Sequence, residues 1–206
     1  MTRPAPTDTK RYDAAYFRNW YGDPRARAAH RSLVGRKAAL AVAAAEHLLE
    51  RPVRSALDVG CGEAPWRAAL LRLRPRLRYV GVEPSAWAAG RYGKSRGVLR
   101  GGLDDLERLP LRGPFDLVVC SDVLHYVGDA PARRGIAALA GLSAGVVWIE
   151  AFTSADDFEG DVAGFRPRSA AFYRRAATRA GLVPLGLWCW ASPAIAHRVA
   201  ALERGA

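Results

Sequence analysis

Between Ser55 and Glu150 the chain alternates short apolar runs with stretches of helical period, and few folds accept that pattern. Ser55-Ala-Leu-Asp-Val-Gly60 is stopped by glycine and followed by a helical stretch through Leu73. Arg78-Tyr-Val-Gly-Val-Glu83 ends at Pro84, with a helix beyond it, and a short strand follows near Gly97 to Arg100. Phe115-Asp-Leu-Val-Val-Cys120 is the fourth strand, and its Leu-Val-Val run suits burial on both faces of a parallel sheet. Ala130 to Ala140 reads as helix and Gly145 to Glu150 as the fifth strand. This order predicts an open, mostly parallel α/β sheet with right-handed crossovers. Ligands in such sheets bind beyond the carboxyl ends of the central strands, so chemistry is expected there.

The flanks are less regular. Tyr12 to Ala29 is rich in aromatics (Tyr12, Tyr16, Phe17, Trp20, Tyr21) and is punctuated by Asp23-Pro24. Arg31 to Leu49 reads as an alanine-rich helix burying Leu33, Leu40, Val42 and Leu48, and Arg51-Pro52 ends it. Ser169 to Ala180 is a helix closed by Gly181. Leu182 to Trp190 and Ala194 to Leu202 are two last strand candidates, the second with a helical alternative. At 206 residues, one domain is expected: a helical cap over residues 1–50 and a ligand-binding core over 53–206.

Several function classes lose support. Cys61, Cys120 and Cys189 are far apart, which predicts neither a disulfide framework nor a metal site. No run reaches the eighteen or so apolar residues of a membrane span. Met1 to Lys10 is polar and lacks the apolar core of a signal peptide, so a cytoplasmic location is expected. The net charge of +11 invites a nucleic-acid reading, but all of it lies in residues 1–112, and residues 113–206 are neutral. Arg67, Arg72, Arg74, Arg76 and Arg78 fall mostly where the chain returns to the second strand, the edge opposite the expected site. They read as a solvated face, which argues against nucleic acid as the partner.

The sharpest motif is Leu57-Asp-Val-Gly-Cys-Gly-Glu63 at the exit of the first strand. Gly60 and Gly62 allow a tight turn and a close backbone approach to a ligand. Glu83 closes the second strand 21 residues after Gly62, where a carboxylate can accept both hydroxyls of an adenosine ribose. NAD and S-adenosylmethionine both meet that description. Pro65 replaces the third glycine of the dinucleotide pattern, which disfavours a pyrophosphate on the helix start. Asp58 beside the glycines repels a pyrophosphate and attracts a methionine ammonium group. No dinucleotide rule explains Ser121-Asp-Val-Leu-His-Tyr126 after the fourth strand.

Over about residues 53–190 these motifs together resemble the class I S-adenosylmethionine-dependent methyltransferases of small-molecule type. The resemblance implies a Rossmann-like three-layer sandwich with a seven-stranded, mostly parallel sheet, its last strand antiparallel, under an N-terminal helical lid. It implies transfer of a methyl group from S-adenosylmethionine to a substrate nucleophile, leaving S-adenosylhomocysteine. It places Asp58, Gly60 and Gly62 at the methionine end, Glu83 with Pro84 at the ribose, and Ser121 near the sulfur. Where the family carries an acid for the adenine amino group, this chain has Arg100-Gly-Gly-Leu-Asp-Asp105, leaving the Leu103 N–H or Asp104 for the adenine.

His125 and Tyr126 follow the fourth strand, where the methyl group should point, and are the catalytic candidates. The alternative for His125 is a wall of the pocket. Asp122 and Glu150, also at strand ends, read as holding loops. Tyr16, Trp20 and Arg27 of the lid are the candidate substrate contacts, and its arginines fit an anionic small molecule. Phe152 to Arg168, with Asp156-Asp-Phe-Glu and Phe165, is the second candidate lid. The expected reaction is methylation of an oxygen or nitrogen. The alternatives are an RNA methyltransferase or a non-catalytic S-adenosylmethionine-binding partner subunit. Nothing in the sequence specifies an oligomeric state.

Overall fold

A computed structural model describes residues 12–157 and 161–203. The polar start Met1 to Lys10 and three residues of the second lid, Phe158, Glu159 and Gly160, lie outside them. Two helices come first, α1 (Ala14–Tyr21) and α2 (Pro24–Leu49), followed by β1 (Ser55–Val59), α3 (Pro65–Leu73), β2 (Arg78–Glu83), α4 (Ala86–Arg96) and β3 (Val98–Arg100). The second half supplies β4 (Phe115–Ser121), α5 (Asp129–Gly141), β5 (Ser143–Glu150), α6 (Ala170–Arg179), β6 (Val183–Gly186) and β7 (Cys189–Ala191). They form one seven-stranded sheet in the order β3-β2-β1-β4-β5-β7-β6. Only β7 runs antiparallel to its neighbours. The order reverses between β1 and β4, so the loops after these two strands share one crevice.

Alternation along the central strands feeds two cores. Leu117, Val119, Val146 and Trp148 face α2 and α3, where the Trp148 ring meets that of Trp66 edge-on at 5.3 Å between centroids. Val118, Cys120, Val147 and Ile149 face α5 and α6. The layers are therefore helix, sheet, helix, as expected.

Helix α2 is longer than the Arg31–Leu49 expected, because Asp23 caps it and Pro24 occupies its first turn. Its buried stripe also differs. Leu33 and Leu40 are exposed, whereas Val34, Ala38, Ala41, Val42, Ala45 and Leu48 are buried. Small alanines let the helix lie close against the sheet, and the larger leucines are turned outward. At the carboxyl end the single strand expected over Leu182 to Trp190 is a hairpin, β6 and β7, turning at Leu187 and Trp188, both at positive φ. The strand candidate Ala194 to Leu202 holds instead a 3-10 turn, Ala196–Arg198. No helix among the described residues is long and apolar enough to cross a membrane.

Candidate functional site

The glycine loop forms where β1 ends. Gly60 and Gly62 both take left-handed backbone, at φ 74° and 52°. A Cβ on Gly60 would sit 2.3 Å from Val123 Cγ2, so the loop after β4 leaves no room for a side chain there. Gly60 N and Cys61 N both donate to Val82 O, at 2.8 and 3.2 Å, tying the loop to β2. Glu83, at the end of β2, completes the tie. Its Oε2 accepts from Gly62 N at 2.8 Å and its Oε1 from Ser85 N at 2.9 Å. Burial raises the Glu83 pKa above the usual carboxylate range, and these two N–H groups oppose the rise. Pro84 is exposed beside it.

Beneath the loop, Asp58 is almost wholly buried and accepts from Tyr79 Oη at 2.7 Å. Burial pushes its pKa up to about 7, the Tyr79 hydrogen bond lowers it, and the charge of Glu83 raises it further. A carboxyl poised there is a receptor for a cation.

The expected lid is present in α1. Asp13 caps the helix, and Phe17 is buried and stacked on Trp87 at 4.8 Å. The same ring reaches to 3.7 Å from where a Gly62 Cβ would stand, so α1 packs directly over the glycine loop. Tyr12 O accepts from Ser85 Oγ at 2.5 Å. The Tyr12 hydroxyl pKa is pushed up to about 12 by burial and by Asp161, Glu83 and Asp122, which places this ring among the carboxylates of the crevice. Tyr16 contacts the rings of Tyr12 and Phe17, and Trp20 is exposed beyond it. Arg27 lies with Nη2 3.4 Å from Glu63 Oε2, so its charge is balanced within the chain.

On the other side of the crevice, His125 is wholly buried. Its Nδ1 accepts from Phe152 N at 3.3 Å, and its Nε2 lies 3.0 Å from Asp122 Oδ1. Accepting at Nδ1 assigns the ring proton to Nε2, the nitrogen nearer Asp122. Asp122 holds positive φ (62°) at the end of β4. The rings of Tyr126, Phe152 and Phe165 lie 4.3, 5.5 and 5.6 Å from that of His125, and Tyr126 Oη donates to Asp161 O at 2.8 Å. Ser121 donates to Glu150 Oε2 at 2.5 Å, and Lys37 Nζ lies 2.5 Å from Glu150 Oε1. Leu103 is buried in a 3-10 turn (Leu103–Asp105), whereas Asp104 points to the surface and pairs with Arg134 at 2.8 Å.

Three further residues, with no local motif to mark them, hold the site together. Tyr79 and Lys37 engage Asp58 and Glu150. Arg168 is the third. It donates to Asp129 Oδ1 at 2.8 Å, Leu124 O at 2.9 Å and Val127 O, and so holds both ends of the His125 turn (Leu124–Tyr126). Arg168→Ala leaves these acceptors unmatched around a buried position. A loss of about 3 kcal/mol is expected, a drop of roughly 10 °C in melting temperature for a domain of this size. Arg168→Lys should recover less than half of it, because an ammonium lacks the planar fork. Thermal denaturation of both variants checks this.

A family model described as a methyltransferase domain matches residues 28–182. No curated protein matches the chain. Among solved structures, an O-methyltransferase family protein from Burkholderia thailandensis is 22% identical over 80% of this chain, with a TM-score of 0.52. The chain spans 56% of that protein's length. Magnesium protoporphyrin IX methyltransferase from Synechocystis PCC 6803 is 21% identical, over 83% of this chain and 86% of its own, with a TM-score of 0.60. The sugar N-methyltransferase KedS8 from Streptoalloteichus sp ATCC 53650 is 19% identical, over 88% and 89%, with a TM-score of 0.57. At such identities these structures speak for the fold, and the family model speaks for descent: the chain belongs to the methyltransferase-domain family.

Proposed function

We propose that this protein is a cytoplasmic S-adenosylmethionine-dependent methyltransferase that methylates an oxygen or nitrogen of a small molecule. One observation carries the reading: Glu83 anchors the Gly62 N–H across the glycine loop, directly above the buried carboxyl of Asp58. That arrangement offers acceptors for a ribose diol beside an anion for an ammonium group, and no cradle for a pyrophosphate. S-adenosylmethionine, when bound, supplies an electrophilic methyl group on a sulfonium. Asp58, Gly60 and Gly62 take its methionine end, Glu83 its ribose, and the Leu103 N–H its adenine, since Asp104 is engaged by Arg134.

The chain's own part is positioning and the handling of one proton. Phe17 of α1 covers one side of the glycine loop. His125, with Nδ1 on Phe152 N and Nε2 3.0 Å from Asp122 Oδ1, stands beside that carboxylate, which is then the group that takes a proton from the acceptor. Tyr126, Tyr16 and Trp20 wall the acceptor pocket. Internal use of the basic side chains supports a small molecule over nucleic acid: Arg51 binds Asp116, Arg74 binds Glu46, and Arg78 binds the carbonyl of Arg112.

Calorimetric titration with S-adenosylmethionine and S-adenosylhomocysteine, with NADH as control, tests the proposal. Micromolar binding of both sulfur ligands and none of NADH is expected. NADH binding, or no binding of either sulfur ligand, would refute it.

A further inference from the structure

Lys37 stands apart from the other cations of this chain. Only three of the 31 basic residues are lysines, and this one faces the sheet from α2. Its Nζ meets Glu150 at the carboxyl end of β5, and Ser121, the register partner of Glu150 on β4, meets the same carboxylate. Trp148 Nε1 adds a third donor, 3.4 Å from Glu150 Oε2. Glu150 is thus surrounded by donors from its own chain. Lys37 has three N–H bonds, and Glu150 takes one. The lysine side chain also keeps 19% of its surface exposed against 6% for the carboxylate, so the cation is the more accessible member of the pair.

We propose that Lys37 is a specificity-determining residue: anchored on Glu150, its ammonium donates a hydrogen bond to the acceptor atom and selects oxygen acceptors over amines. This rests on the methyltransferase reading and narrows it to hydroxyl-bearing substrates. The reason is a count of lone pairs. A hydroxyl oxygen accepts the Lys37 N–H with one lone pair and attacks the methyl carbon with the other. A neutral amine has one lone pair, and a hydrogen bond to it removes the nucleophile. In the step itself the new O–C bond forms as the C–S bond breaks, and the C–S electron pair passes to sulfur. The hydroxyl proton passes to Asp122 and from there to water. Glu150 makes this tolerable beside a sulfonium, because the ion pair carries no net charge.

A purely structural strut between α2 and β5 is the competing account, and the experiment separates the two. The protein is labelled with carbon-13 at lysine Cε, and the Lys37 signal is assigned by its loss in Lys37→Arg. S-adenosylhomocysteine binding is measured first by calorimetry, so that failure of the cofactor reading is seen before any acceptor is added. Matched probes follow in the saturated complex: phenol and aniline, catechol and its diamine, naphthol and naphthylamine. The hydroxyl member of a pair should move the Lys37 signal and the amine should not. With S-adenosylmethionine as methyl donor in place of S-adenosylhomocysteine, product analysis should favour oxygen roughly tenfold or more, the reach of one charge-assisted hydrogen bond. Lys37→Met/Glu150→Gln replaces the ion pair by a neutral contact; it should fold, bind S-adenosylhomocysteine as before, and lose that preference. Equal shifts from both members, a Lys37 signal indifferent to every probe, or a double variant that keeps the preference would each overturn the proposal.

Discussion

Glu83→Ala should lower the affinity for S-adenosylmethionine by two orders of magnitude or more. Each Glu83 oxygen already holds one backbone N–H, which fixes the carboxylate and leaves its other lone pairs for a diol. Two hydrogen bonds to a charged acceptor contribute about 1.5–3 kcal/mol each, and about 1.4 kcal/mol is a factor of ten. The same change leaves the N–H groups of Gly62 and Ser85 without acceptors, at about 1–3 kcal/mol each, so a lower melting temperature is also expected. Glu83→Gln separates the two effects. It keeps one acceptor for the loop and loses the charge, so stability should be largely restored while affinity stays well below wild type. Calorimetry and thermal denaturation on both variants decide it. Unchanged affinity in Glu83→Ala would reduce this residue to a tie for the glycine loop.

Glu83 was legible in the sequence because its partners are local in kind: a strand end, a glycine turn, and an acid at fixed spacing. The central sheet was legible for the same reason, since an apolar run buried on both faces has few other fates. Leu33 and Leu40 show where that reasoning stops. Periodicity marks apolar positions, but the depth at which a helix packs depends on the facing surface, and here alanines gave the closer approach. The β6–β7 hairpin was hidden because Leu187 and Trp188 hold left-handed backbone that turn-forming residues normally supply. Lys37 and Arg168 were hidden by distance along the chain. Lys37 meets a carboxylate 113 residues away, and Arg168 meets a carbonyl 44 residues back, pairings that no local spacing encodes.

Asp58→Asn should move stability and function in opposite directions. In the cofactor-free protein the Asp58 pKa is about 7 against an ordinary 3.8, because burial penalises the carboxylate. The unfolded chain therefore releases this proton first as pH rises. The contribution of Asp58 to stability is intact below pH 3.8 and is lost progressively up to about pH 7. A shift of about three units at 1.36 kcal/mol each sets the loss on the order of 4 kcal/mol. Glu83, also raised, acts in the same sense. Asparagine keeps an acceptor for the Tyr79 hydroxyl and removes the charge, so at pH 8 the variant should melt higher than wild type, and near pH 4 the two should converge. A bound ammonium reverses the balance in wild type by favouring the carboxylate. S-adenosylmethionine should then raise the wild-type melting temperature more at pH 8 than at pH 5, and should scarcely move that of Asp58→Asn. Melting curves of both proteins, with and without ligand across that range, check each sign. A variant less stable than wild type at pH 8, or one that still gains stability from the ligand as the pH rises, would mean that Asp58 serves the fold and not the ammonium of a cofactor.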